Sequence, residues 1–163
     1  VPPIGGPPRL VPDKSPPAFS RAVVALNGGR SDARILRLVL DLAKPARAEV
    51  IAVHVVEIDW TLPLDASVAE ISEDAQRVLD LAEIQATRTG YKLETVLVQA
   101  RDVAAALVDE AVERNADLLM LGLPYRKKFG GDFAIGRTVP YVLKNAPCAV
   151  WVAREPMPEE KQQ

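Results

Sequence analysis

The residues best suited to chemistry fall in one stretch, 116–154, which reads ADLLMLGLPYRKKFGGDFAIGRTVPYVLKNAPCAVWVAR. An apolar run over 117–121 breaks at Gly122 into a loop that carries Arg126, Lys127 and Lys128. A further glycine, Gly136, precedes Arg137 and Thr138, which open a short amphipathic segment. Ala146-Pro147 then hands the chain to a second apolar run over 148–153. That order is strand, loop, helix, strand. Backbone N–H groups at glycines and at a helix start can point at an anion, and the helix dipole favours negative charge there. The loop is therefore suited to carry a phosphate. Arg137 adds a charged, fork-shaped donor that matches phosphate geometry. The run Arg126-Lys127-Lys128 would neutralise phosphates, meet anionic headgroups beneath a membrane, or simply face water.

The remaining reactive residues assemble nothing comparable. His54 is the single histidine and lies within an apolar run, 49–56, where it reads as a structural side chain satisfied inside a strand. No Ser/His/Asp set can be built except around it. Cys148 reads as an inert thiol in the last strand. One histidine and one cysteine make no zinc-type cluster. Asp59, Asp65, Glu70, Glu73 and Asp74 gather around the second crossover and read as a solvated acidic face. Asp132 alone places a carboxylate beside the glycine loop that could hold Mg²⁺.

Composition narrows the class. Hydrophobic residues make up 48 % of 163, enough for one globular domain with a sizeable core. The net charge of −2 supplies no basic face of the kind nucleic acid requires. A single cysteine excludes an internal disulfide and fits a reducing compartment. No apolar run approaches the ~20 residues of a membrane span, and no stretch reads as a signal peptide. A cytoplasmic setting is expected. Seven of the 14 prolines lie in the first 17 residues, and the first residue is Val1 rather than methionine. Residues 1–19 therefore read as a Pro-rich linker or tail, 20–155 as the folded domain, and 156–163 as a C-terminal tail.

The elements that must position the glycine loop follow from periodicity. The run over 21–27 is a short buried strand stopped by Gly28-Gly29. Ser31 or Asp32 can cap a helix whose Ile35, Leu38, Val39, Leu42 and Ala43 share a face, with Pro45 marking the stop. A strand over 49–56 and a loop over 59–65 precede a long helix over 67–87, striped by Val68, Ile71, Ala75, Val78, Leu79, Ala82 and Ile84. Gly90 ends it. A third strand spans 91–98, with Leu93, Val96 and Val98 inward. Asp102 caps a helix over 103–114, and a strand over 118–121 leads back to the glycine loop. Thr138 as N-cap puts Pro140 in the first turn of the last helix. The expected fold is α/β, a five-stranded parallel doubly wound sheet with helices on both faces. Its ligand should sit beyond the carboxyl ends of the strands, marked by Asn27, Val56, Val98 and Gly122.

The stretch 116–154 resembles the C-terminal half of a universal stress protein domain, and the likeness extends over 21–154. That family carries a Gly–two residues–Gly–nine residues–Gly-Ser/Thr loop, then a helix and strand similar to Tyr141-Val142-Leu143-Lys144 and Ala146-Pro147-Cys148 here. This chain departs from the loop pattern in three ways. Tyr125 stands at the second glycine, Gly122 and Gly136 are one residue further apart, and Arg137 replaces the Ser/Thr. The resemblance implies a regulatory domain that binds an adenine nucleotide (AMP, ADP or ATP) rather than an enzyme. The implied contacts are Ala25, Leu26 and Asn27, then Val55, then Leu121, Gly122 and Leu123, then Gly136, Arg137 and Thr138. It also implies a homodimer paired through the last strand at Val150, Trp151 and Val152. A narrower likeness, Val53-His54-Val55-Val56-Glu57 with Thr61-Leu62-Pro63-Leu64-Asp65, is to stress-protein domains appended to amino-acid permeases. That likeness implies a transporter domain on the same chain. Two alternatives stay open. One is a ligand-free pairing scaffold whose pocket is filled by Tyr125 or Phe129. The other is an ATP-using enzyme, since Asn27-Gly28-Gly29-Arg30-Ser31-Asp32 loosely resembles the SGGxDS loop of ATP pyrophosphatases.

Overall fold

The structure, a computed structural model, describes residues 19–65, 69–127, 131 and 133–159. Its elements alternate along the chain: β1 (Arg21–Leu26), α1 (Asp32–Ala46), β2 (Glu49–Glu57), α2 (Ala69–Arg88), β3 (Glu94–Ala100), α3 (Val103–Glu113), β4 (Leu118–Leu123), α4 (Thr138–Asn145) and β5 (Ala149–Arg154). The strands form one sheet in the order β3-β2-β1-β4-β5, every neighbouring pair parallel. This is the expected doubly wound architecture.

Side chains alternate across the pleat and so divide the core in two. Ala22, Val24 and Leu26 of β1 and Val50 and Ala52 of β2 pack under α1 and α2. Val23, Ile51, Val53 and Val55 face the other way, under α3 and α4. The central strands are buried on both faces, which is why their sequence is continuously apolar.

Local signals account for most element ends. Asp102 accepts the Ala105 N–H at 3.0 Å and caps α3. Gly90, at φ +73°, turns the chain after α2, where an L side chain would be strained. Pro140 lies in the first turn of α4, although Arg137 rather than Thr138 stands at the N-cap.

Several elements differ from the sequence reading. Pro45 does not end α1; the helix runs through it to Ala46 and closes on Arg47 in the left-handed region. A proline so near the C-terminus costs one intrahelical bond without forcing an end. The buried face of α1 is Ile35, Leu36, Val39, Leu40 and Ala43, while Leu38 and Leu42 are exposed. The helix is rolled toward α2: Gln85 Nε2 donates to the Ala33 carbonyl, and Leu36 and Leu40 share a core cluster with Ala82 and Ala86. On α2, Ala75, Leu79, Ala82 and Ala86 are buried and Ile84 is exposed, so small residues let this helix approach closely. Val68 lies outside the described residues. β3 begins at Glu94 because Tyr91 is committed elsewhere, its hydroxyl donating to the Ala48 carbonyl. Val96 and Val98 pack under α3, whereas Leu93 joins the opposite cluster. β4 does not break at Gly122. It continues to Leu123, with Gly122 and Leu123 registered against Ala153 and Arg154. Phe19, placed with the linker by composition, is buried and meets Trp151 edge-on at 6.0 Å between ring centroids.

Candidate functional site

The carboxyl ends of β1, β2 and β4 and the start of α4 enclose a cleft of about 200 Å³. Ala25, Leu26 and Asn27 line it from β1 and the turn after it, Val55 from β2, and Leu121, Gly122 and Leu123 from β4. Gly136, Arg137 and Thr138 close it from the start of α4. All ten residues chosen for a nucleotide thus converge on one cavity. The cleft lies where the strand order reverses, with β2 and β3 on one side of β1 and β4 and β5 on the other. Sequence reasoning missed Val103, Leu107, Pro124, Ile135 and Val139, which also line the cleft. The four-residue spacing of Val103 and Leu107, at the start of a helix after a strand end, was the available signal.

The polar end of the cleft is the α4 N-terminus. Gly136 has φ +77°, a left-handed conformation that carries the chain from the loop into the helix. An added Cβ there would meet nothing within 4 Å, so backbone conformation, not space, calls for glycine. The Gly122 requirement has another cause. A Cβ on it would lie 3.2 Å from Ser31 Cβ and 3.5 Å from Ile35 Cδ1, so this glycine serves the packing of α1 on β4. Gly122 lines the cleft as well, so the helix constrains the side where a Cβ would stand and not its exposure to the cleft.

The loop between β4 and α4 is a small hairpin. Lys127 and Phe133 form an antiparallel bridge, and the Ala134 N–H donates to the Arg126 carbonyl at 2.8 Å. Tyr125 stacks on Phe133 at 5.2 Å, and the Arg154 guanidinium lies 5.2 Å over the Tyr125 ring. Tyr125 does not line the nucleotide cleft. It faces a second depression with Arg30, Arg34 and Glu155, so it does not fill the pocket as a ligand-free scaffold would need. Lys128, Phe129 and Asp132 lie outside the described residues.

The turn after β1 is closed by its own side chains. Asp32 Oδ1 accepts the Asn27 N–H at 3.1 Å, and Oδ2 accepts that of Gly28 at 2.8 Å. Asn27 Oδ1 accepts the Gly29 N–H at 2.7 Å. Burial pushes the Asp32 carboxyl above its usual range, against the pull of the two N–H donors. An internal carboxylate therefore occupies the donors that a pyrophosphatase-type loop would offer to phosphate. Ser31 caps nothing; its hydroxyl donates to Glu155 Oε1 and ties α1 to the end of β5.

His54 lies within β2, as expected, and has a hydrogen-bond partner. It is half-buried, its Nδ1 2.7 Å from the Leu26 carbonyl, and it borders a groove on the α2 side of the sheet. Cys148 is partly buried and desolvation raises its thiol pKa, as an unreactive thiol requires. Among the described residues no group of three or more His, Cys, Asp or Glu could hold a metal. No helix of the described residues is long and apolar enough to cross a membrane.

The model of the Universal stress protein family matches residues 18–154, the whole of the sheet and its helices. The chain belongs to the universal stress protein family. A universal stress protein of Methanocaldococcus jannaschii is 28% identical over 148 residues, 86% of this chain and 85% of the relative. The crystal structure of a universal stress protein family member from Burkholderia pseudomallei superposes with a TM-score of 0.63 at 28% identity, covering 82% of this chain and 95% of that one. The Archaeoglobus fulgidus universal stress protein in complex with dAMP shares the fold, with a TM-score of 0.65 at 20% identity over 82% of this chain and 97% of its own.

Proposed function

We propose that this universal stress protein domain binds an adenine nucleotide in the cleft between β1 and β4 and acts as a regulatory module, not as an enzyme. The observation that carries the reading is the convergence of Ala25–Asn27, Val55, Leu121–Leu123 and Gly136–Thr138 on one cavity at the strand ends. The dAMP held by the Archaeoglobus relative supports an adenine ligand in this fold. On this reading adenine lies against Val55 and Asn27, with phosphate at the α4 N-terminus beside Gly136, Arg137 and Thr138. Arg137 takes the place of a lost hydroxyl. The second glycine of the loop is absent, so contacts to outer phosphates are few. ATP should gain little over AMP or ADP, and Mg²⁺ little over either. Nucleotide energy would then shift the loop between Leu123 and Ile135, a change that a partner reads through its differential affinity. A second copy, joined through β5, is the first such partner, and a transporter domain on the same chain would be another.

Titration calorimetry with AMP, ADP and ATP tests the reading. Binding of all three within about tenfold of one another is expected, with loss in Gly136→Val, whose φ of +77° a β-branched residue resists. No heat with any adenine nucleotide would leave only a pairing scaffold. Binding that survives Gly136→Val would place the pocket elsewhere.

A further inference from the structure

A second cavity lies on the opposite face of the sheet from the nucleotide cleft. The ends of β1 and β2 and the helix α2 enclose a groove of about 550 Å³, bordered by Asn27, Gly28, His54, Val56, Val78 and Leu81. A pocket of about 160 Å³ between α1 and α2 lies beside it, with Gly28, Val78 and Leu81 lining both. The groove alone has the size of small-molecule sites, which are mostly apolar with a few placed polar groups.

The placed polar group here is His54. A carbonyl oxygen only accepts, so the 2.7 Å contact with Leu26 means that Nδ1 carries the hydrogen. The neutral ring then presents Nε2 as a bare acceptor. Nε2 has no hydrogen bond among the described residues, and the half-buried ring borders the groove. The charged neighbours are already engaged. Asp74 on α2 pairs with Arg77 at 3.0 Å, and Asp32 on α1 is held by the Asn27 and Gly28 N–H groups. The walls are Val56, Ala75, Val78 and Leu81, the last 61% exposed for want of anything covering it.

We propose that this groove is a second small-molecule site, one that takes an uncharged ligand with a ring-sized apolar body and one N–H or O–H donor directed at His54 Nε2. A lone pair at Nε2 disfavours an anionic group at that point of the groove. The proposal is independent of the nucleotide reading and is tested on nucleotide-free protein.

Phenol and toluene are suitable probes, since they share a body and differ by one donor. In amide-detected NMR of the full chain, phenol should shift Gly28, Val56 and Val78 and the His54 ring, and toluene should do so more weakly. The charged groups facing the ring are Asp32, Asp74 and Arg77, so Asp74→Asn with Arg77→Gln should leave the preference in place. His54→Phe should bind the two probes equally. Leu81→Trp fills the groove from an exposed position without removing core, and should abolish both. Equal shifts by phenol and toluene would overturn the proposal. So would phenol shifts centred on Gly136, or binding unaltered by Leu81→Trp.

Discussion

A Cβ on Gly122 would stand 3.2 Å from the Cβ of Ser31, closer than side chains normally approach. The start of α1 therefore rests close on the β4 backbone, and a methyl group there would have to push Ser31 aside by a few tenths of an ångström. Gly122→Ala should lower stability by about 1–3 kcal/mol, the usual cost of an overpacked core. A fall in the urea midpoint with an unchanged slope is the expected result. AMP affinity of the folded variant should stay within a few-fold of wild type, since the clash lies on the face away from the cleft. A stable variant that no longer binds AMP would return Gly122 to the phosphate role.

The Asp32 carboxylate is held by two backbone N–H groups yet has its pKa raised, because desolvation outweighs the donors. Its contribution to stability is fully present below the unfolded value of 3.8 and is lost as pH rises through the higher folded value. Asp32→Asn, which cannot ionise, should therefore gain on wild type as pH rises through that window. Asp32→Ala strips the turn of its acceptor and should cost about 1–3 kcal/mol at neutral pH. Urea titrations at pH 4 and pH 7 read both effects. A gap between wild type and Asp32→Asn that ignores pH would contradict the sign.

What was legible in the sequence was whatever depends on local pattern. Strand runs such as AVVAL, the Asp102 cap and the Gly90 stop act through nearest neighbours, so the order of elements and the sheet class follow from them. The ten cleft residues were readable because the family resemblance gave them by position; seven sit at or near strand ends, which a parallel sheet brings to one rim, and Gly136, Arg137 and Thr138 open α4. What escaped depends on neighbours distant in the chain. Leu36 and Leu40 are buried instead of Leu38 and Leu42 because α2 lies beside that flank of α1. Gly122 looks like a loop glycine until the helix packed above it is known. Tyr125 looked like an intruder in the pocket, but Phe133 and Arg154 hold its ring on the other side. Asp32 and Ser31 both resembled caps; one closes the β1 turn and the other reaches Glu155.

The Ser31–Glu155 bond joins residues 124 apart in the chain, and Glu155 also donates its N–H to the Leu123 carbonyl at 2.8 Å. The Ser31 hydroxyl, chief among several donors and nearby positive charges, holds the Glu155 pKa below 4.5. Here the sign is opposite to that of Asp32. The stabilisation is present above 4.5 and is lost as pH falls through the lower folded value. Ser31→Ala should be less stable than wild type at pH 7, and the gap should shrink on acidification. Paired denaturation curves across pH 3–7 test this; a gap that widens in acid would refute it.

The last prediction concerns the outer edge of the sheet. β5 pairs with β4 on one side, and no other strand of the described residues borders it. An edge strand this apolar invites pairing with another chain. Val150 and Val152 lean on the core under α3 and α4, while Trp151 faces the other way and is partly covered by Phe19 of its own chain. Trp151 is therefore an anchor of the monomer as well as a candidate contact, and Trp151→Asp would confound the two roles. Val150→Lys with Val152→Lys is the cleaner test, because lysine blocks edge pairing while its stem still covers apolar surface. Light scattering of the wild type at tens of micromolar should give twice the 17.7 kDa chain mass. The double lysine variant should give the chain mass with an unchanged circular dichroism spectrum. A monomeric wild type, or a folded double variant that still runs as a dimer, would remove β5 as the pairing edge.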